Sequence, residues 1–205
     1  MNDKTRQVFD ILKQDILYGR LEDGEHITET ALAEKYSVSR IHVKAALEQL
    51  AIEQLVEYKR NRGFFVTGLT AECIDEINKL RKALTTIVAE NIIDTVTDEQ
   101  LDELDKIIDR SKAFYEAGLN DDAIAEDTIF YNLFQSYSSC TRVVSILEMY
   151  NDYIFAIINR SVQTKADYEK GVNYLRRFVE SLRSRNMDNV REVVQDQDDY
   201  KAVEI

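Results

Sequence analysis

The sequence predicts a mostly α-helical chain in two parts. A head of about 69 residues ends in a small β-hairpin, and an antiparallel bundle of about six helices follows. Three observations predict this. The 205 residues contain no proline, and four of the six glycines (Gly19, Gly24, Gly63, Gly68) precede residue 70, so the remainder has few places to turn. Apolar residues recur at helical spacing along most of the chain. One short stretch instead carries β-branched and aromatic residues on either side of a basic, glycine-bearing tip.

The elements follow in order. Residues 5–18 carry Val8, Ile11, Leu12 and Ile16 on one stripe and stop at Gly19, which predicts an amphipathic helix. Residues 20–27 form a connector with a turn at Asp23-Gly24. A short helix runs from about Glu29 to Tyr36, with Thr28 as its N-cap. Ser37-Val38 turn the chain. Ser39 then caps a helix over about 40–53, whose inner stripe is Val43, Ala46, Leu47 and Leu50. Two helices joined this tightly cross steeply, as in a helix-turn-helix. In LVEYKRNRGFFV (55–66), two strand-like runs flank Lys59-Arg60-Asn61-Arg62-Gly63, where Asn and Gly supply the positive φ that a hairpin tip needs. Helix, helix, helix, hairpin is the winged-helix layout. Gly68-Leu69-Thr70 forms a hinge, dividing a domain of residues 1–69 from one of residues 70–205. Helices are expected at about 70–94, 98–117, 121–136, 140–162, 166–184 and 187–201. Thr97 and Gln100 predict a capping box before the second of these.

Charge divides at the same hinge. The formal net charge is −12, but residues 1–69 hold 10 basic and 11 acidic side chains, while residues 70–205 hold 16 and 27. Within residues 35–62 the balance is six basic to three acidic. A locally positive face on an acidic chain points to a polyanionic partner met at one site. No run of about 18 apolar residues is present, so no membrane span is expected. The N-terminus lacks the apolar stretch of a signal peptide, which leads us to expect a cytoplasmic protein. Cys73 and Cys140 fit no metal spacing and are expected to be reduced. There is no glycine-rich phosphate loop, G-x-S-x-G or H-E-x-x-H, so an enzyme is not expected.

The leading end of a recognition helix needs donors that reach base edges and phosphates. Ser39, Arg40, His42 and Lys44 offer them, and Arg40 alone has the planar fork for a guanine edge. Ala45 allows close approach to the groove. Lys35 ends the preceding helix, where that helix crosses the backbone. Arg60 and Arg62 at the hairpin tip reach the adjacent minor groove or phosphates.

Residues 16–66 resemble the winged helix of the GntR family of bacterial transcription regulators. Ile16, Gly19, Leu21 and Gly24 match its opening. Leu32-Ala33, Val38-Ser39-Arg40, Val43-Lys44, Ala46-Leu47, Leu50 and Gly63 through Val66 match the rest. The resemblance implies that Arg40, Lys44, Arg62 and Gly63 carry DNA contact. Two departures are present. Ile41-His42 stands where the family often has Thr-Pro, and Lys44 stands where it has Arg.

The helical remainder, with LRKAL at 80–84, resembles the effector domain (FCD type) of the FadR-like subfamily. Many of its members hold a divalent metal through Asp-x-x-x-His and two further histidines. Here Asp127 is kept, Tyr131 stands in the His position, and the other two positions fall at or beside Leu175 and near Gln197. The chain's two histidines, His26 and His42, both precede residue 70, so no His-based metal site is expected in the second domain, and no cofactor. Arg81 matches a family arginine that faces the cavity. It is either the holder of an anion or an internal partner of a carboxylate such as Asp127. Tyr131, Asn132, Tyr174 and Gln197 are further polar candidates.

The expectation is a homodimeric repressor that binds double-stranded DNA at a palindromic operator and is modulated by a small organic acid in the helical domain. The alternative keeps DNA binding and gives the bundle only dimerisation or protein docking. A third reading uses the winged helix for protein contacts alone.

Overall fold

The computed structural model describes residues 2–197. The chain divides after Thr70 into two compact units, one residue beyond the expected hinge centre at Leu69.

The first unit is built on three helices, α1 (Asp3–Leu17), α2 (Glu29–Lys35) and α3 (Arg40–Ile52). Asn2 caps α1 through its side-chain oxygen, which accepts from the Thr5 amide. Thr28 caps α2 in the same way, accepting from the Ala31 amide. Ser39 occupies the N-cap position of α3 with extended backbone, but its hydroxyl makes no capping bond, contrary to expectation. The turn into α3 is made by Ser37, whose φ of 54° closes it within two residues. Val8, Leu12 and Ile16 of α1 meet Val43, Ala46, Leu47 and Leu50 of α3 in a core sealed from solvent. Burial of each valine, leucine or isoleucine among them contributes about 1.5–3 kcal/mol.

Strands β2 (Val56–Lys59) and β3 (Gly63–Val66) pair antiparallel with Lys59 opposite Gly63. The connector at 20–27 holds more than a turn. It ends in a two-residue strand, β1 (His26–Ile27), which pairs with β3 and makes the sheet three-stranded in the order β1-β3-β2. Phe64 and Val66 point inward beneath the sheet while Phe65 lies half-exposed above it.

Among the described residues the second unit contains six helices: α4 (Ala71–Ile92), α5 (Asp98–Glu116), α6 (Asn120–Ser136), α7 (Thr141–Ser161), α8 (Lys165–Arg183) and α9 (Met187–Gln195). The expected capping box opens α5, with both reciprocal bonds made at 2.9 and 3.2 Å. A second box, Thr164 with Asp167, opens α8. The last helix is shorter than expected. Asp196 forms its C-cap, and residues 198–201 of the expected span lie outside the described residues. Helix α5 packs on α6 and α8, while α4 packs on α7 and α9. Phe130, Phe134 and Phe178 are fully buried at the centre, meeting edge to face at 6.4 and 5.1 Å between ring centroids. Such pairs add about 0.5–1.5 kcal/mol each beyond their buried area. No described helix is long and apolar enough to cross a membrane.

Candidate nucleic-acid interface and effector cavity

The helical period of about 100° per residue divides α3 into two faces. Val43, Ala46, Leu47 and Leu50 lie inward. Arg40, Ile41, Lys44 and Glu48 lie outward and exposed, with Ala45 half-buried at their edge. The Arg40 side chain is 66% exposed and sits 3.6 Å from Glu29 of α2. Lys44 is 3.9 Å from Glu48, one turn on. Pairs this loose and wet are worth about 0–1 kcal/mol, so both cations can exchange their carboxylates for phosphates or base edges.

His42 is placed differently from expectation. It is half-buried on the side facing α1, where its Nδ1 shares a hydrogen bond with the Thr5 hydroxyl at 3.0 Å. Its position follows from the period, which sets it beside the inner stripe. Lys35 is half-committed too. Its Nζ donates to Asp15 at 3.3 Å and lies 4.9 Å from the Tyr36 ring centroid. Burial would raise the Asp15 carboxyl, but hydrogen bonds from Tyr36, Arg20 and Lys35 outweigh it and hold the group below its usual range. The Tyr36 hydrogen bond, with Asp15 adding to it, in turn raises Lys35.

At the hairpin tip the Arg62 amide donates to the Lys59 carbonyl at 2.9 Å, and Asn61 takes a φ of 61°. Gly63 has a φ of 89°, and a Cβ there would stand 3.1 Å from His26 Nε2. That approach is why glycine ends the turn. Arg60 and Arg62 are exposed, and the Arg62 guanidinium lies 5.2 Å from the Phe65 ring centroid. Lys59 lies 5.0 Å from the same ring.

In the helical unit, α4, α6 and α7 enclose a narrow cavity of about 10 Å³, lined by Arg81, Asp127, Tyr131, Gln135 and Asn151 among others. That is space for about one water molecule. Helical spacing assembles it: Asp127, Tyr131 and Gln135 follow one another at i+4 on α6, as do Arg81 and Thr85 on α4. Arg81 is only 3% exposed, and its guanidinium carbon lies 5.9 Å from the Tyr131 ring centroid. Burial raises the Asp127 carboxyl to about 6 against the pull of the Arg81 charge. Burial likewise raises the Tyr174 hydroxyl, opposed by Arg81 and Tyr131. The side-chain carbonyl oxygen of buried Gln135 has no hydrogen-bond partner among the described residues. A second, more apolar cavity of about 50 Å³ lies among α5, α6, α7 and α8 and shares Asp127 as a wall.

Not every expected residue gathers here. Asn132 is exposed outside the cavity, accepting from the Asn151 amide at 3.1 Å. Tyr174 on α8 and Gln197 beyond the end of α9 are buried and line neither cavity. Gln135, Asn151 and Thr85 line it without having been expected. The i+4 continuation from Asp127 and from Arg81 was the signal for two of them.

The metal carried by many effector domains of this type does not fit. Tyr131 stands where a histidine ligand would, Leu175 is buried and apolar, and the Arg81 cation already acts on Asp127. Among the described residues no three His, Cys, Asp or Glu side chains converge to hold a metal ion.

Comparison with known proteins agrees with this division. Residues 4–66 match the family described as bacterial regulatory proteins, gntR family, and residues 76–197 match the FCD domain. The chain is 30% identical over 191 residues to the HTH-type transcriptional regulator YdhC of Bacillus subtilis, covering 92% of this chain and 84% of that one. It is 26% identical over 205 residues to the gluconate operon transcriptional repressor of the same organism, covering 90% and 82%. The solved structure of Escherichia coli McbR/YncC shares the fold, with a TM-score of 0.67, 20% identity and 95% of each chain covered. A winged helix with an exposed basic leading end, joined to a matching helical effector-type domain, makes this chain a DNA-binding transcription regulator that belongs to the GntR family, with the FCD architecture of its FadR-like members.

Proposed function

We propose that the protein is a homodimeric repressor that sets two α3 helices into a palindromic operator and is released by a small organic anion bound beside Arg81. The observation that carries the DNA half is the shared exposure of Arg40, Lys44, Arg60 and Arg62 on the recognition helix and hairpin tip. A two-fold dimer would place the same set on both halves of a symmetric site. Arg40 is the specificity contact, and Arg60 and Arg62 are the positioning contacts. Several relatives carry repressor in their names, the gluconate operon repressors among them.

The effector half is supported by Arg81, a buried cation at a cavity wall, and by the buried Gln135 oxygen, which suits a ligand hydroxyl. A ligand releases the operator only to the extent that it binds one arrangement of the dimer better than the other. One observation favours the second reading, in which the bundle serves dimerisation or docking alone: about 10 Å³ admits no organic acid unless side chains move. A thermal-shift screen of the full chain against sugar acids and small carboxylates, followed by operator release with any hit, separates the two. Stabilisation that is lost in Arg81→Gln supports the effector reading. No stabilisation by any acid, with operator binding intact, supports the docking bundle. Operator binding itself is tested with Arg40→Ala, which should lose affinity and sequence preference together. If Arg40→Ala matches wild type on every duplex, α3 is not the reading helix.

A further inference from the structure

Ile41 is 78% exposed, the most exposed large apolar side chain among the described residues. It contributes nothing to the core of its own unit. The helical period sets it about 100° from Arg40 and about 60° from Lys44, within the outward arc of α3. Ala45 follows one turn later on the same line. Two strips therefore run along the outward face of the first turns of α3. One is charged, made by Arg40, Lys44 and Glu48. The other is apolar, made by Ile41 and Ala45. His42, the remaining residue of the first turn that could have competed for that face, is turned away to Thr5.

A phosphate backbone offers no partner to an isobutyl-sized apolar group. The floor of the major groove offers one: the C5 methyl of thymine is its one hydrocarbon feature. We propose that Ile41 is a specificity-determining residue that packs on a thymine methyl, so each operator half-site carries an A·T pair opposite Ile41, beside the base pair read by Arg40. The inference rests on the placement of α3 in the groove proposed above.

The test uses the full chain and its own selected DNA. Duplexes enriched by the wild-type protein from a random pool are resynthesised with each thymine changed singly to deoxyuridine, which removes only the methyl. Affinities are compared for wild type, Ile41→Ala and Ile41→Val. In wild type, one thymine per half-site should lose about fourfold on conversion to uracil, the worth of about one buried methylene-sized group. Ile41→Ala should bind the thymine and uracil duplexes equally, and Ile41→Val should restore most of the preference. Because Ile41 is exposed, both variants should melt with wild type. Indifference of the wild type to every uracil, or an unchanged thymine preference in Ile41→Ala, overturns the inference while leaving operator binding in place. Failure of the wild type to enrich any sequence overturns both.

Discussion

Removing the two arginines at the hairpin tip should reshape the salt dependence of DNA binding. Arg60 and Arg62 are exposed on the three-residue connection between β2 and β3, with Arg62 braced on Phe65. With Lys44, each winged helix offers three such cations besides the base-reading Arg40, and the proposed dimer doubles that number. If each meets one phosphate, the slope of log affinity against log salt is about −5.4, because each neutralised phosphate contributes about −0.9. Arg60→Gln with Arg62→Gln should bring the slope to about −1.8. Between 50 and 200 mM salt the wild type then loses roughly 10³-fold in affinity and the variant roughly 10-fold. Fluorescence anisotropy on a fixed duplex over that range measures both slopes. The fold should survive, since an exposed cation–π contact such as that of Arg62 is worth about 0.5–1 kcal/mol. A variant slope equal to wild type would mean that the tip never touches the duplex, and the winged-helix docking argued above would be wrong.

Three further outcomes are expected. The Asp127 carboxyl, raised from 3.8 to about 6 in the folded protein, holds its proton more tightly folded than unfolded, so its contribution to stability is present at low pH and is lost as pH climbs from about 4 past about 6, a difference of about 3 kcal/mol at most. Denaturant melts of wild type and Asp127→Asn should therefore diverge across that window, and parallel curves would show that the carboxyl is not perturbed. Leu47→Ala, at a fully buried position of α3, should cost about 2–5 kcal/mol in the same melts, and a cost under about 1 kcal/mol would contradict the packing of α1 on α3. Gly68→Ala should destabilise by more than about 1–2 kcal/mol, because the backbone there is left-handed and the new Cβ would fall 1.8 Å from the Asp23 carboxylate; a wild-type melting temperature would count against that junction.

The helices were legible because their stripes are long: α1, α3 and α4 through α8 fall within about two residues of the spans that periodicity predicts, within the ordinary uncertainty of helix ends. Strand β1 was not, since two residues carry no alternation and His26-Ile27 is a strand only because β3 lies alongside. The exposed basic side chains of α3 and the hairpin tip were legible as residue types, but the turn of His42 toward Thr5 depends on where α1 packs. The cavity was half legible. Arg81, Asp127 and Tyr131 were found, while Asn132 shows how one residue's difference on a helix changes the face it occupies.

The two clamps on α3 bear on the thermodynamics of recognition. Thr5 with His42 fastens its first turn to α1, and Lys13 with Glu53, 3.3 Å apart, fastens its far end. If α3 reads the duplex as proposed, a helix secured at both ends arrives already ordered, so association need not cost the conformational entropy of forming it. The heat-capacity change on binding should then match the buried interface alone, without the larger signature of a segment that folds on its target.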